Sequence, residues 1–356
     1  MKKFILILCM ITLVGCGNVV PSADMDISEI TENQEVIDTF AEVPTEPVFD
    51  AVTDIELEKP DKSYYLNRKK TLFSDDSGRY YYSYKGGRDS AYYVLLREDA
   101  DKKCSFVENA DDFNAYLYKD NVFYGSYRSY KLCSFKDGKY TELKYEEKEI
   151  SDFYFTEEFI YCLCRNDTGT EILRMRYDGS DAEQVAFINL HIDKYAVHGN
   201  NIFYVADYIN YGVYDTETKV NTTLEEGGAG VFCGDYMYYI SAEHHLFRMN
   251  LSDYGCEKIC ENVRTFGFYN DYILYQPYAG NTDVDGQIYR LGKGENIKIF
   301  DAGELFENDY YYDISVIQAE DEHIFIEISS GPYFSYIAEM DIDGKIIETI
   351  YAHKGT

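Results

Sequence analysis

Asn281, Asp283 and Asp285 set oxygen ligands at alternate positions ahead of Gly286, which is how a calcium-binding loop begins. The twelfth position should carry a bidentate carboxylate and is Gly292 instead, so the stretch reads as an extended hairpin turn and only a weak calcium candidate. His244 and His245 would need a third ligand from another loop, and adjacent residues on a strand face opposite ways, so a solvated turn is expected. A second group is aromatic: Tyr127, Tyr130, Tyr208, Tyr211, Tyr278, Tyr333 and Phe334 fall with His244 in segments expected to join strands. Flat rings gathered on a loop-rich face suit stacking on sugar rings or gripping an extended peptide. No Gly-x-Ser-x-Gly elbow, His-Glu-x-x-His helix or phosphate-binding glycine loop is present, so no catalytic residue, cofactor or metal is assigned.

Cysteine chemistry points the same way. Beyond Cys9 and Cys16 there are seven cysteines, and no spacing among them identifies a disulfide or completes a zinc set. Cys162 and Cys164 sit two apart in a strand-like run and so share a face, as a buried apolar pair would. Cys256 and Cys260 lie in another such run.

The elements that must position these residues show as a repeat. Seven apolar-aromatic triplets recur: Tyr80-Tyr81-Tyr82, Val122-Phe123-Tyr124, Phe159-Ile160-Tyr161, Ile202-Phe203-Tyr204, Met237-Tyr238-Tyr239, Ile273-Leu274-Tyr275 and Ile324-Phe325-Ile326. Their starts average about 41 residues apart, the length of a four-stranded propeller blade. The third unit shows the plan, with strands expected over 150–155, 159–164, 171–177 and 182–187, and with Asp178-Gly179-Ser180 supplying a hairpin turn. The expected fold is therefore all-β: a seven-bladed β-propeller of four-stranded antiparallel blades over 63–356, its last blade complete without a strand borrowed from the other terminus.

Ile202 to Asp207, Ile172-Leu173-Arg174-Met175 with Asp178-Gly179-Ser180, Leu246 to Met249 and Ile288 to Leu291 together carry a pattern of apolar-aromatic-Tyr, apolar-x-Arg-apolar and Asp-Gly-Ser. The pattern resembles the YWTD-type β-propeller of low-density-lipoprotein-receptor proteins, and more closely its bacterial relatives, a domain of unknown function common on surface lipoproteins. No blade here has the Trp of the receptor pattern, and only Asp207 matches its terminal Asp.

The N-terminus has Lys2 and Lys3, an apolar run from Phe4 to Val14, and a break at Gly15-Cys16-Gly17. At about 1.5 Å per residue that run covers roughly half a hydrocarbon core, too little for a permanent span but right for a signal peptide. Leu13-Val14-Gly15-Cys16 resembles the bacterial lipobox, which implies removal of 1–15 and lipidation of Cys16. Between Asn18 and Glu58 come twelve acidic residues and no Lys or Arg, with Pro21, Pro44 and Pro47, so 16–62 is expected to be an acidic flexible linker.

Without Lys2 and Lys3 the chain has 31 basic and 64 acidic residues, a balance of about −33 that excludes nucleic acid as a partner and leaves membrane attachment to the lipid. The expectation is an extracytoplasmic, lipid-anchored module that binds carbohydrate, peptide or an envelope protein without catalysis. The competing expectation is a polysaccharide hydrolase or lyase using channel-mouth carboxylates, or a His and Tyr pair.

Overall fold

The computed structural model describes residues 50–61, Asn67, the strands between 72 and 143, and residues 148–354 apart from 149, 279–285, 307–311, 321–322 and 331–333. The expected signal peptide, Cys16 and the first part of the linker lie outside the described residues.

The strands fall into seven four-stranded antiparallel sheets over 72–110, 113–143, 152–188, 192–224, 231–260, 263–301 and 313–354, numbered here one to seven. Within each sheet every strand pairs with its neighbour in sequence, and the seventh sheet is built wholly from C-terminal residues. All seven triplets lie in the second strand of their sheet.

Each second strand is apolar on successive residues because both of its faces are covered. In sheet three, Ile160, Cys162 and Cys164 join one core cluster with Leu143 of sheet two, whereas Tyr161 and Leu163 join another with Ile192, Phe203 and Phe232 of sheets four and five. Sheet five divides likewise, with Met237 and Tyr239 on one side and Tyr238 and Leu246 on the other. The first strands of sheets three and four lie side by side, as do those of sheets six and seven, so first strands line the centre.

The tyrosine closing the triplet also ties its sheet together. In sheets four, five and six its hydroxyl reaches over the third strand to a polar atom opening the fourth: Tyr204 to Asn221 Oδ1 at 2.9 Å, Tyr239 to Cys256 Sγ at 3.3 Å and Tyr275 to Asn296 Oδ1 at 3.0 Å. In sheet four the ring passes over Gly212, where a Cβ would sit 2.3 Å from the phenolic oxygen, so only glycine fits.

Asp50–Asp61, placed in the flexible linker by its composition, is instead packed on the body. Val52 N–H donates to Ile259 O (2.8 Å), Glu261 N–H to Asp50 O (3.1 Å), Gly294 N–H to Thr53 O (3.1 Å) and Asp61 N–H to Phe232 O (3.0 Å). Ile259 is the extra residue of a β-bulge between the third and fourth strands of sheet five, which frees its carbonyl for the incoming segment. Ile55 is buried between sheets five and six, and His198 Nδ1 meets Asp61 Oδ2 at 3.1 Å. Composition missed this strap because its attachment rests mainly on one fully buried side chain and backbone hydrogen bonds, with Ala51, Leu57 and the Asp61–His198 pair added, none of which an acidic composition forbids.

Ile55→Ala removes the strap's buried isoleucine and leaves a cavity in the core cluster it shares with Tyr275 and Leu291. Chemical denaturation should show a loss of about 2–4 kcal/mol, and limited proteolysis should cut faster within 50–61.

Candidate functional site

Connections from second to third strands, and from each sheet to the next, converge at one end of the molecule, and so do the starts of the first strands. In sheets four, six and seven the first strand opens with the same one-residue bulge, which leaves Asp193, Arg264 and Ser315 without a cross-strand partner. A bulge at this point turns the extra side chain out of the normal alternation.

Asp193 uses this freedom to build a loop. Its Oδ2 accepts the N–H of Tyr208 at 2.7 Å, while the preceding N–H, of Asp207, donates to His191 O at 3.0 Å. Both residues are held in the left-handed region, Asp207 at φ 48° and Tyr208 at φ 63°, a conformation unfavoured for a side chain as large as Tyr208, and these bonds hold it there. The result is a tip on which Tyr208 is 75% and Ile209 74% exposed. Arg165 of sheet three donates from Nη2 to Ile192 O at 2.7 Å and lies 3.9 Å from Asp193, so the neighbouring sheet braces the support.

Next to this tip stands Tyr211, expected in the loop but found in the third strand of sheet four, and half-buried. Burial, and then the carboxylates of Glu243 and Glu226, push its phenol up. Glu243 belongs to the loop of sheet five, which continues into His244. The His244 ring stacks on Tyr278 of sheet six with centroids 3.6 Å apart and planes 13° off parallel. Val263 N–H donates to His244 O and Tyr278 N–H to Asn262 O, both at 2.5 Å. The solvated turn expected at His244-His245 is therefore a half-buried junction, because Tyr278 supplies a flat partner from a loop distant in sequence.

Two residues before Tyr278, the fully buried Gln276 donates from Nε2 to Asp313 Oδ1 of sheet seven at 3.1 Å, and Arg264 Nη2 meets Asp313 Oδ2 at 2.7 Å. Gln276 Oε1 has no hydrogen-bond partner. The amide cannot flip to satisfy it without setting oxygen against the carboxylate, so an acceptor worth about 1–3 kcal/mol is left unanswered. Asp152 opens the first strand of sheet three, and burial pushes its carboxyl up to about 6 against the opposing effects of the Phe153 N–H and Arg165.

A band thus runs across sheets four to seven: Tyr208 and Ile209, Tyr211 with Glu226 and Glu243, the His244–Tyr278 stack, then Gln276 with Asp313 and Arg264. Of the residues singled out from sequence, the structure brings Tyr208, Tyr211, His244 and Tyr278 into it. Phe334 opens the third strand of sheet seven rather than a loop, and Tyr127, Tyr130, Tyr333, Asn281, Asp283 and Asp285 lie outside the described residues. Sequence reasoning missed Asp152, Arg165, Asp193, Arg264, Gln276 and Asp313; for four of them the available signal was a charged residue in the first two positions of the first strand, in sheets three, four, six and seven, which the triplet pattern does not index. Among the described residues no group of three His, Cys, Asp or Glu side chains could hold a metal.

At the other end, a cleft of about 300 Å³ is lined by His198, Gly234, Asp235, Asn250, Leu251 and Ser252. The strap crosses this end, where Asp61 meets His198 and the Cys233 thiol donates to Glu58 O.

No protein-family profile matches the chain, and no curated protein matches it. Among solved structures, a puromycin-hydrolyzing peptidase of Mycobacterium tuberculosis is similar at TM-score 0.52, 9% identity, 85% of this chain and 57% of its own. The computationally designed Ika8 protein gives TM-score 0.51 at 10% identity, covering 85% of this chain and 91% of its own. The dihydro-heme d1 dehydrogenase NirN, solved in complex with DHE, gives 0.50 at 9% identity, covering 89% and 77%. At such identities the likeness shows the fold alone, and that fold is the β-propeller.

Because the folded state raises the Asp152 carboxyl from 3.8 to about 6, that group's favourable contribution is complete below about pH 4 and is lost as pH rises through 6. Asp152→Asn should therefore stabilise the protein at about pH 7.5 by about 1–2 kcal/mol, the full shift being discounted for partial solvent contact, with the gain gone near pH 4. Thermal unfolding across that range measures it.

Proposed function

We propose that this chain is an extracytoplasmic lipoprotein in which lipidated Cys16 and an acidic linker display a seven-bladed β-propeller as a non-catalytic binding module. The band across sheets four to seven is its recognition surface, and the partner is a carbohydrate, a peptide or an envelope protein. One observation carries the reading: Tyr208 and Ile209 are held in solvent by hydrogen bonds that offset an unfavoured backbone conformation. Nothing within the described body covers them, and a rigid exposed tip of this kind gains its energetic return from a partner. The strap occupies turns at the opposite end, so among the described residues this one is left open.

Polysaccharide hydrolysis or elimination is the second reading. In its favour stand the raised Asp152 and the close His244–Tyr278 pair. Against it, Asp193 is committed to Tyr208 N–H, and both Asp313 oxygens are engaged by Gln276 and Arg264, so the first-strand carboxylates of sheets four and seven are not free to partner Asp152 as a base. Hydrolysis or elimination of any polysaccharide, abolished by Asp152→Asn or His244→Ala, would put this reading first.

The binding reading is tested by installing a photo-crosslinking residue at position 208 in the full chain, in intact cells. A discrete adduct should form there and be absent when the same residue replaces Ser252 in the opposite cleft. Equal labelling from both positions, or none from either, would remove the recognition surface.

A further inference from the structure

The chemistry of the band's unanswered groups specifies its ligand more narrowly. They are acceptors and π faces. Glu226 and Glu243 close on Tyr211, and among the described residues neither makes an ion pair; Asp207 and Glu225 stand likewise unpaired on the loops beside it. The two rim arginines are engaged, Arg165 on Ile192 O and Arg264 on Asp313. Tyr208 offers a ring three-quarters exposed, and Ile209 beside it an apolar side chain equally exposed.

A neutral glycan would bring hydroxyls but leave the carboxylates unneutralised, and an acidic one would be repelled. A lysine or arginine side chain answers each feature in turn. Its alkyl stem lies along Ile209, and its charge sits over a tyrosine face or between Glu226 and Glu243. The band crosses four sheets, so several such residues on one extended segment engage it together. Resting on the binding reading above, we infer that the recognition surface takes a basic, extended peptide segment of a partner protein.

The test uses the full chain in non-ionic detergent and a fluorescein-labelled decapeptide alternating lysine and glycine, read by anisotropy, with an alternating glutamate–glycine decapeptide and a chitosan oligomer as separate arms. The lysine peptide should bind and the glutamate peptide should not. Glu226→Gln with Glu243→Gln should weaken binding about tenfold, and Tyr208→Ala about threefold to tenfold, with unfolding temperatures unchanged because all three side chains stand at the surface. Asp235→Asn with Asp253→Asn, two neutralisations at the opposite end, should leave binding as it was. An equal loss in both charge-neutralised pairs would mean diffuse attraction to an acidic body and would overturn the inference. So would chitosan binding in the peptide's place, or no peptide binding at all. If the peptide fails while the crosslink from position 208 still forms, only the ligand class is wrong; if both fail, the recognition surface itself is.

Discussion

A four-stranded sheet with apolar side chains on both faces has to be covered twice, and in this chain the cover is the next sheet. Phe159–Asn166 shows the constraint within one strand: Ile160, Cys162 and Cys164 turn one way, Tyr161 and Leu163 the other, and all five are buried. At roughly 25 cal/mol per Å² of apolar surface, leaving either face wet would cost far more than a domain's net stability, so each sheet is stable only between two others. The arrangement that satisfies this with short edges is a ring, which draws first strands to the centre and fixes their starting residues close together.

That convergence gives the bulges their effect. An extra residue in a strand covered on both faces has nowhere to go but the end, and at the start of three first strands the end is the rim. Asp193 and Arg264 arrive there by the same backbone device but do different work, one holding out the Tyr208 tip and the other bridging to Asp313. The burial that builds the sheets also quiets the thiols: Cys164 is pushed up to about 11 and Cys233 to about 12, so these free cysteines behave as apolar filling rather than nucleophiles.

The seven triplets were legible because a second strand buried on both faces writes itself as consecutive apolar and aromatic letters, and Cys162 with Cys164 was legible as a buried pair for the same reason. Turn chemistry around Asp178-Gly179-Ser180 placed strand ends within a residue or two. The rim was not legible. Whether Asp193 pairs or bulges depends on the register of Ile192 with Ala206 and Lys194 with Val205, and register is a relation between two strands that neither one encodes alone. The stack of His244 on Tyr278 escaped notice because the two are joined by position in adjacent sheets. The strap was hidden by its own acidity, since Ile55 is one letter among many that read as solvated chain.

The tip is built rigid rather than left loose, with Asp193 as its support. Residue-resolved hydrogen exchange on the native full chain addresses this directly. The Tyr208 amide should exchange as slowly as amides inside the sheet, although its side chain is among the most exposed, and Asp193→Ala should return it to the rate of an open loop. Rapid exchange at Tyr208 in the unmutated chain, or protection that survives Asp193→Ala, would contradict it.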